Sequence, residues 1–250
     1  MVLASQQPEH ANRPRRSDAS WTDCIHRPWV ILISLLPLLA IDALGIARVA
    51  GSPDTLARRQ LHGLLGFFDV PPTLAMASTI CIIGAILLTW HLLQRDPWRL
   101  RPLAPPGIAL EGAAWAIPLL ILSYLFSSAT LAASTTSESI AALPMVDRML
   151  VSIAAGLDEE LIFRMAGIAL LHTVLVNIIG LKQATGTMLA IAGTAVLFSW
   201  YHDPELSNMP QLVFTLLAGI YLGVIYVLRG FGTVVWAHVL YDVVVTATLP

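Results

Sequence analysis

The sequence predicts an all-α, polytopic transmembrane bundle of about seven spans with one further helix in the membrane interface. Three observations carry that prediction. Of the 250 residues, 56% are hydrophobic and only 12% are charged, whereas soluble domains carry about a quarter charged residues. Mean hydropathy is +0.74. The apolar residues also gather in runs close to the roughly 20 residues a helix needs to cross hydrocarbon, with breaks rich in arginine, proline and glycine.

Residues 1–28 are polar, contain Arg13, Arg15, Arg16 and Arg27, and are expected to be disordered. The run that follows is long enough to span, so it reads as a retained anchor and not a cleaved signal. Trp29 to Ala47 forms the first span, with Asp42 as its one acid. Asp54 to Val70 mixes Arg58, Arg59 and His62 with Leu61, Leu64, Leu65, Phe67 and Phe68, the pattern of a helix lying in the interface. Pro71 and Pro72 open the second span, Leu74 to Leu93. The loop Gln94 to Pro106, with Arg95, Arg99 and Arg101, leads to the third, Gly107 to Leu131.

Ala132 to Pro144, rich in serine and threonine, reads as a connector. The fourth span, Met149 to about Ile179, is interrupted by Asp158, Glu159, Glu160 and Arg164. Gly180 to Gly186 is expected to break the helix, and Thr187 to Tyr201 is the fifth span, ended by His202-Asp203-Pro204. Pro210 to Leu228 and Phe231 to Leu249 are the last two, joined by Arg229 and Gly230. Gly219 and Gly223 form a small-xxx-small pattern that permits close helix contact. Asp42, Glu111, His91 and His172 belong to no motif and read as interfacial or packing residues. Trp200, Tyr201, Trp236 and Tyr241 read as belt and packing.

A net charge of -2 leaves no basic surface for nucleic acid. Cys24 and Cys81 lie apart, without metal-ligand spacing or a disulfide framework. With the N-terminus in the cytoplasm, Arg13, Arg15, Arg16, Arg27, Arg95, Arg99, Arg101, Lys182 and Arg229 fall inside. Arg48, Arg58, Arg59 and Arg148 then fall outside. Nine against four favours that orientation, provided Asp54 to Val70 does not cross.

The chemistry lies in the charges inside the spans. Each acid or arginine at a helix centre costs about 2.5–3.5 kcal/mol on insertion scales, so four in one span must be paired or hydrated. Glu160 and Arg164 are four apart and can pair on one helix face. Glu159 is turned about 100° from Glu160, so the same arginine need not neutralise it, and it is free to act as a base. His202 ends the fifth span. His238 and Asp242 share a face of the seventh.

These residues resemble the motifs of the CPBP intramembrane proteases, the family of CAAX endoproteases and bacterial relatives linked to bacteriocin processing and self-immunity. Glu159-Glu160 with Arg164 fits Glu-Glu-x-x-x-Arg. Phe198 with His202 fits Phe-x-x-x-His, and His238 with Asp242 fits His-x-x-x-Asn/Asp. The resemblance covers about residues 105–249. It implies a domain division into 1–28, N-terminal helices over 29–104 and a catalytic membrane domain over 105–250. It also implies an endopeptidase acting on a membrane-associated or lipidated protein or peptide in a multi-pass membrane setting, expected to be the bacterial cytoplasmic membrane. Catalytic roles would fall to Glu159, His202, His238 and Asp242, with Glu160, Arg164 and Phe198 in support. Glu159 and His202 would activate a water, His238 and Asp242 would face the oxyanion, and Arg164 would hold Glu160. Asp242 stands where many members have asparagine. An ionised carboxylate repels an oxyanion, so that role suits His238 better.

A metal-free glutamic mechanism with no cofactor is the first expectation. Zinc held by Glu159, His202 and His238 is the alternative, since these are zinc-ligand types, although the helical His-Glu-x-x-His signature is absent. A non-catalytic immunity, scaffold or transport protein is the reading from another class. Transport would call for matched repeats or broken helices, and the sequence has neither. The CAAX endoproteases open to the cytosol, whereas the arginine tally puts Glu159 and His202 towards the outer end.

Overall fold

A computed structural model describes residues 21–48, 55–126 and 143–248, with no strand among them. In chain order the helices are α1 (Trp21–Ile25), α2 (Pro28–Arg48), α3 (Leu56–Phe67), α4 (Pro72–Met76), α5 (Ser78–Gln94) and α6 (Ala104–Leu125). After the undescribed segment come α7 (Met145–Ile178), α8 (Gln183–His202), α9 (Met209–Arg229) and α10 (Phe231–Thr248). Among the described residues, six helices are long and apolar enough to cross a membrane: α2 and α6 to α10.

Contacts between helix ends set the order of crossings. At one end, the Trp21 indole donates to Glu111 at 2.8 Å, and Glu111 also pairs with Arg229. Ser34 donates to the Pro105 carbonyl at 3.2 Å, and the Trp236 indole donates to Ser34 Oγ at 3.0 Å. Trp98 packs edge-on against Trp29 and His91. At the other end, Arg48 pairs with Asp147 at 2.6 Å and Arg148 donates to the Thr246 carbonyl at 3.0 Å. Thus α2 and α6 start at the same end, and α5 must carry the chain back between them. Its 17 residues extend about 26 Å, close to the hydrocarbon thickness. Among the described residues the bundle therefore has seven crossings, with α1 on one face and the start of α7 on the other.

Most elements begin where local chemistry allows. Pro28 and Pro210 occupy first turns, where no N–H is needed. Thr55 caps α3 by accepting from the Arg58 amide at 3.1 Å, and Asn208 caps α9 by accepting from the Gln211 amide at 3.2 Å, each satisfying an otherwise orphan donor. Gly230, at φ +84°, makes the tight turn into α10 in a conformation that penalises a Cβ. The core is mainly leucine, isoleucine and valine from α2, α5, α7, α9 and α10. Small residues let the helices close on it: Gly219 meets Ala195 and Gly223 meets Ile191, which is the use expected of that pair.

Several boundaries differ from expectation. The second span is divided, α4 from α5, at Ala77. Residues 21–25 of the polar head form α1, with Cys24 and Ile25 buried. The fifth span starts at Gln183, because Gly186 sits inside α8, where a Cβ would stand 2.3 Å from Val176. This glycine serves close packing and not a break. The expected end of the third span at Leu131 and most of the 132–144 connector lie outside the described residues, as do residues 1–20. Of the two readings of Asp42, interfacial or packing, burial favours packing: it is 1% exposed, inside the bundle.

Candidate active site in the membrane

The site forms where α7 changes its winding. Met145–Glu159 is α-helical and Glu160–Ile168 is π-helical, so the wider turn begins at the glutamate pair. Such turns recur at functional sites because they re-aim side chains that an α-helix would point elsewhere. Glu160 turns inward, with no measurable exposure, to an ion pair with Arg164 at 2.9 Å. The Arg164 guanidinium also lies 4.5 Å over the Phe198 ring, a cation–π contact that helps a desolvated charge.

Three spans converge on Glu159. His202, the last residue of α8, places Nε2 3.9 Å from Glu159 Oε2. His238, in the middle of α10, places Nε2 3.8 Å from the same oxygen. Asp242 Oδ2 lies 3.6 Å from His238 Nε2. The other ring nitrogens are spoken for. His202 Nδ1 lies 2.8 Å from the Phe198 carbonyl, which can only accept, so that nitrogen carries the proton. His238 Nδ1 lies 2.6 Å from Glu160 Oε1, and with Glu160 paired to Arg164 it donates there. Both imidazoles therefore turn Nε2 towards Glu159. At 3.8–3.9 Å these are not direct hydrogen bonds, and such a gap suits a bridging water.

All seven residues singled out from the sequence are thus brought together: Glu159, Glu160, Arg164, Phe198, His202, His238 and Asp242. The zinc set is also adjacent, but its spacing is wide. Bonds of 2.0–2.1 Å in a tetrahedron set ligands roughly 3.4 Å apart, less than either separation. Among the described residues no group of three or more His, Cys, Asp or Glu could hold a metal ion.

Sequence reasoning missed the second layer. Asp158, next to Glu159 and fully buried, accepts from Arg58 Nε at 3.0 Å and Nη2 at 3.2 Å. It also accepts from Thr55 Oγ1 at 3.2 Å and from Thr79 Oγ1 at 2.5 Å. Arg58 Nη2 donates further to both Asp42 oxygens, at 3.0 and 3.1 Å. Burial opposes the charge on Arg58, but Asp158 and Asp42 more than offset it and hold the guanidinium above its ordinary pKa. One arginine of α3 thus ties α2 to α7 beside the site. The available signal was an acid in the first span and an arginine on the amphipathic segment, two charges that each needed a partner. Tyr201, read from the sequence as belt and packing, lies against the rings of His202 and Phe163 at the site.

Residues 141–244 match the model of a protein family described as type II CAAX prenyl endopeptidase Rce1-like. Comparisons with curated proteins and with solved structures give no match. The matched segment begins just before α7, ends within α10, and contains all three motifs. Over residues 141–244 the chain is therefore similar to the Rce1-like, CAAX-type intramembrane proteases.

Proposed function

We infer that the chain is a metal-free glutamic endopeptidase that cleaves a peptide bond of a membrane-associated substrate. The observation that supports this best is the convergence of two imidazole Nε2 atoms on one carboxylate oxygen, at 3.8 and 3.9 Å. A water about 2.8 Å from both Glu159 Oε2 and His202 Nε2 would subtend roughly 90° between them. One O–H then points at each acceptor, and an oxygen lone pair faces the substrate.

Glu159 takes one proton of this water while His202 Nε2 accepts the other O–H, and the oxygen attacks the scissile carbonyl carbon. The carbonyl π electrons move to oxygen. His238, held by Glu160 through Nδ1 and doubly protonated, offers its Nε2–H to that oxyanion. Collapse restores the carbonyl and breaks the C–N bond, and the proton on Glu159 passes to the leaving amine. Asp242 orients and balances His238, since a carboxylate has no donor for the oxyanion. Arg164, stacked on Phe198, keeps Glu160 in place as the acceptor for His238.

The test uses purified protein in detergent with a quenched-fluorescent peptide library. Wild type cleaves, whereas Glu159→Gln and His202→Ala each lose at least ~100-fold in kcat, the scale of removing a general base, without loss of thermal stability. Cleavage that persists in Glu159→Gln would sink the assignment. A non-catalytic immunity protein would instead keep its protective phenotype in that variant.

A further inference from the structure

The depth of the site and the distribution of arginines bear on where the substrate comes from. Among the described residues, the connecting segments that touch the site reach it from one face of the bundle. Thr55, at the start of α3, donates to Asp158. Gln211, in the first turn of α9, donates to the His202 carbonyl at 3.2 Å, and His202 itself ends α8. Asp242 lies six residues before the end of α10, about 9 Å along the helix axis. The side chains of His202 and Asp242 keep 25% and 22% of their exposure. From the opposite face, Glu159 is separated by the 19 residues that follow it in α7, with Phe163 and Arg164 buried beneath it.

The opposite face is the one that holds α1. It carries Arg27, Arg95, Arg99, Arg101, Lys182 and Arg229, and Arg13, Arg15 and Arg16 precede α1 in the sequence. The site face carries Arg48, Arg58, Arg59 and Arg148. α3, at 12 residues, extends about 18 Å, too short to cross, so the parity of the crossings holds. Arg58 is moreover buried between two carboxylates and does not mark a loop. Among the described residues the tally is then six against three, and the arginine-rich face is the cytoplasmic one.

We propose that the active site opens on the non-cytoplasmic face and that its substrate is a peptide segment presented there, the juxtamembrane or interface-bound part of a chain already translocated. The substrate class rests on the protease reading above; the orientation does not. A lipidated C-terminus that stays in the cytoplasm would lie on the far side of the bundle from Glu159.

Two measurements test this on the full-length protein in a bacterial cytoplasmic membrane, with Cys24 and Cys81 replaced by alanine. First, Glu205→Cys, in the α8–α9 turn, and Gln183→Cys, at the start of α8, are treated with a membrane-impermeant maleimide. Glu205→Cys should label in intact cells at least ~10-fold faster than Gln183→Cys, which should react only after permeabilisation. The reverse order, or equal labelling, overturns the orientation. Second, a membrane-impermeant quenched peptide that the detergent-purified enzyme cleaves is added to right-side-out and inverted vesicles. Turnover in right-side-out vesicles, absent in Glu159→Gln, supports the substrate class, and turnover confined to inverted vesicles overturns it. If the purified wild type cleaves no peptide, the protease reading and the substrate class fall together, while the labelling result still decides the orientation.

Discussion

Replacing Arg58 with methionine keeps much of the aliphatic stem and removes the guanidinium that bridges Asp42 and Asp158. Three bonds to Asp42 and Asp158 shorter than 3.2 Å and one at 3.2 Å disappear, and two carboxylates at 1% and 0% exposure lose their counter-ion. Removing one partner of a buried pair costs about 3–5 kcal/mol, because the other charge stays behind. The upper part of that range is expected here, since two acids are stranded and the hydroxyls of Thr55 and Thr79 donate to Asp158 and not to Asp42. The triple variant Asp42→Asn, Arg58→Met, Asp158→Asn removes the charges together and should recover all but about 1–2 kcal/mol. Unfolding in mixed micelles with rising SDS, followed by tryptophan fluorescence, measures both. A loss below about 1 kcal/mol for Arg58→Met, or a triple variant no better than the single, would refute the claim that Arg58 is the buried counter-ion of this network.

Other outcomes follow from the same geometry. Gly156→Ala places a methyl 2.8 Å from Val239 and 3.4 Å from Asp242, pushing α10 away from α7. Overpacking of this kind costs about 1–3 kcal/mol, and kcat should fall at least ~10-fold as His238 recedes from Glu159, read from steady-state kinetics beside the unfolding curve. Peptide cleavage should be unchanged by a strong zinc chelator; loss on chelation with recovery on added zinc would replace the metal-free mechanism. At the α8–α9 turn, Asp203 accepts from the Asn208 amide at 2.7 Å and from Ser207 at 3.1 Å. The Asn208 amide in particular holds the carboxyl below its ordinary pKa. A depressed carboxylate stabilises the turn above its unfolded value near ~4 and loses that contribution as pH falls through the lower folded value. Exchange protection of the Asn208 amide, corrected for intrinsic rate, should be flat from neutrality to about pH 5 and fall below about pH 4.

The sequence by itself determined the spans and picked out the charged residues inside them, because hydrocarbon admits few charges and each exception stands out in an apolar run. Glu159, Glu160 and Arg164 were legible for that reason, as was the Glu160–Arg164 pair, which needs only a helix and a spacing of four; His202, and His238 with Asp242, were picked out by motif spacing. Tertiary structure alone decided which atoms meet. The π turn at Glu160 and the rotations of α8 and α10 set two Nε2 atoms, and not their Nδ1 atoms, towards Glu159. The partners of Asp158 lie 100 residues away in Arg58 and 79 away in Thr79, and in the sequence Asp158 looks no different from its two glutamate neighbours. Gly186 looked like a break because a glycine's role depends on what stands opposite, and only the packing of α8 on α7 puts Val176 there. Local spacing fixes contacts within a helix. Contacts between helices depend on rotation and approach, which no single helix encodes.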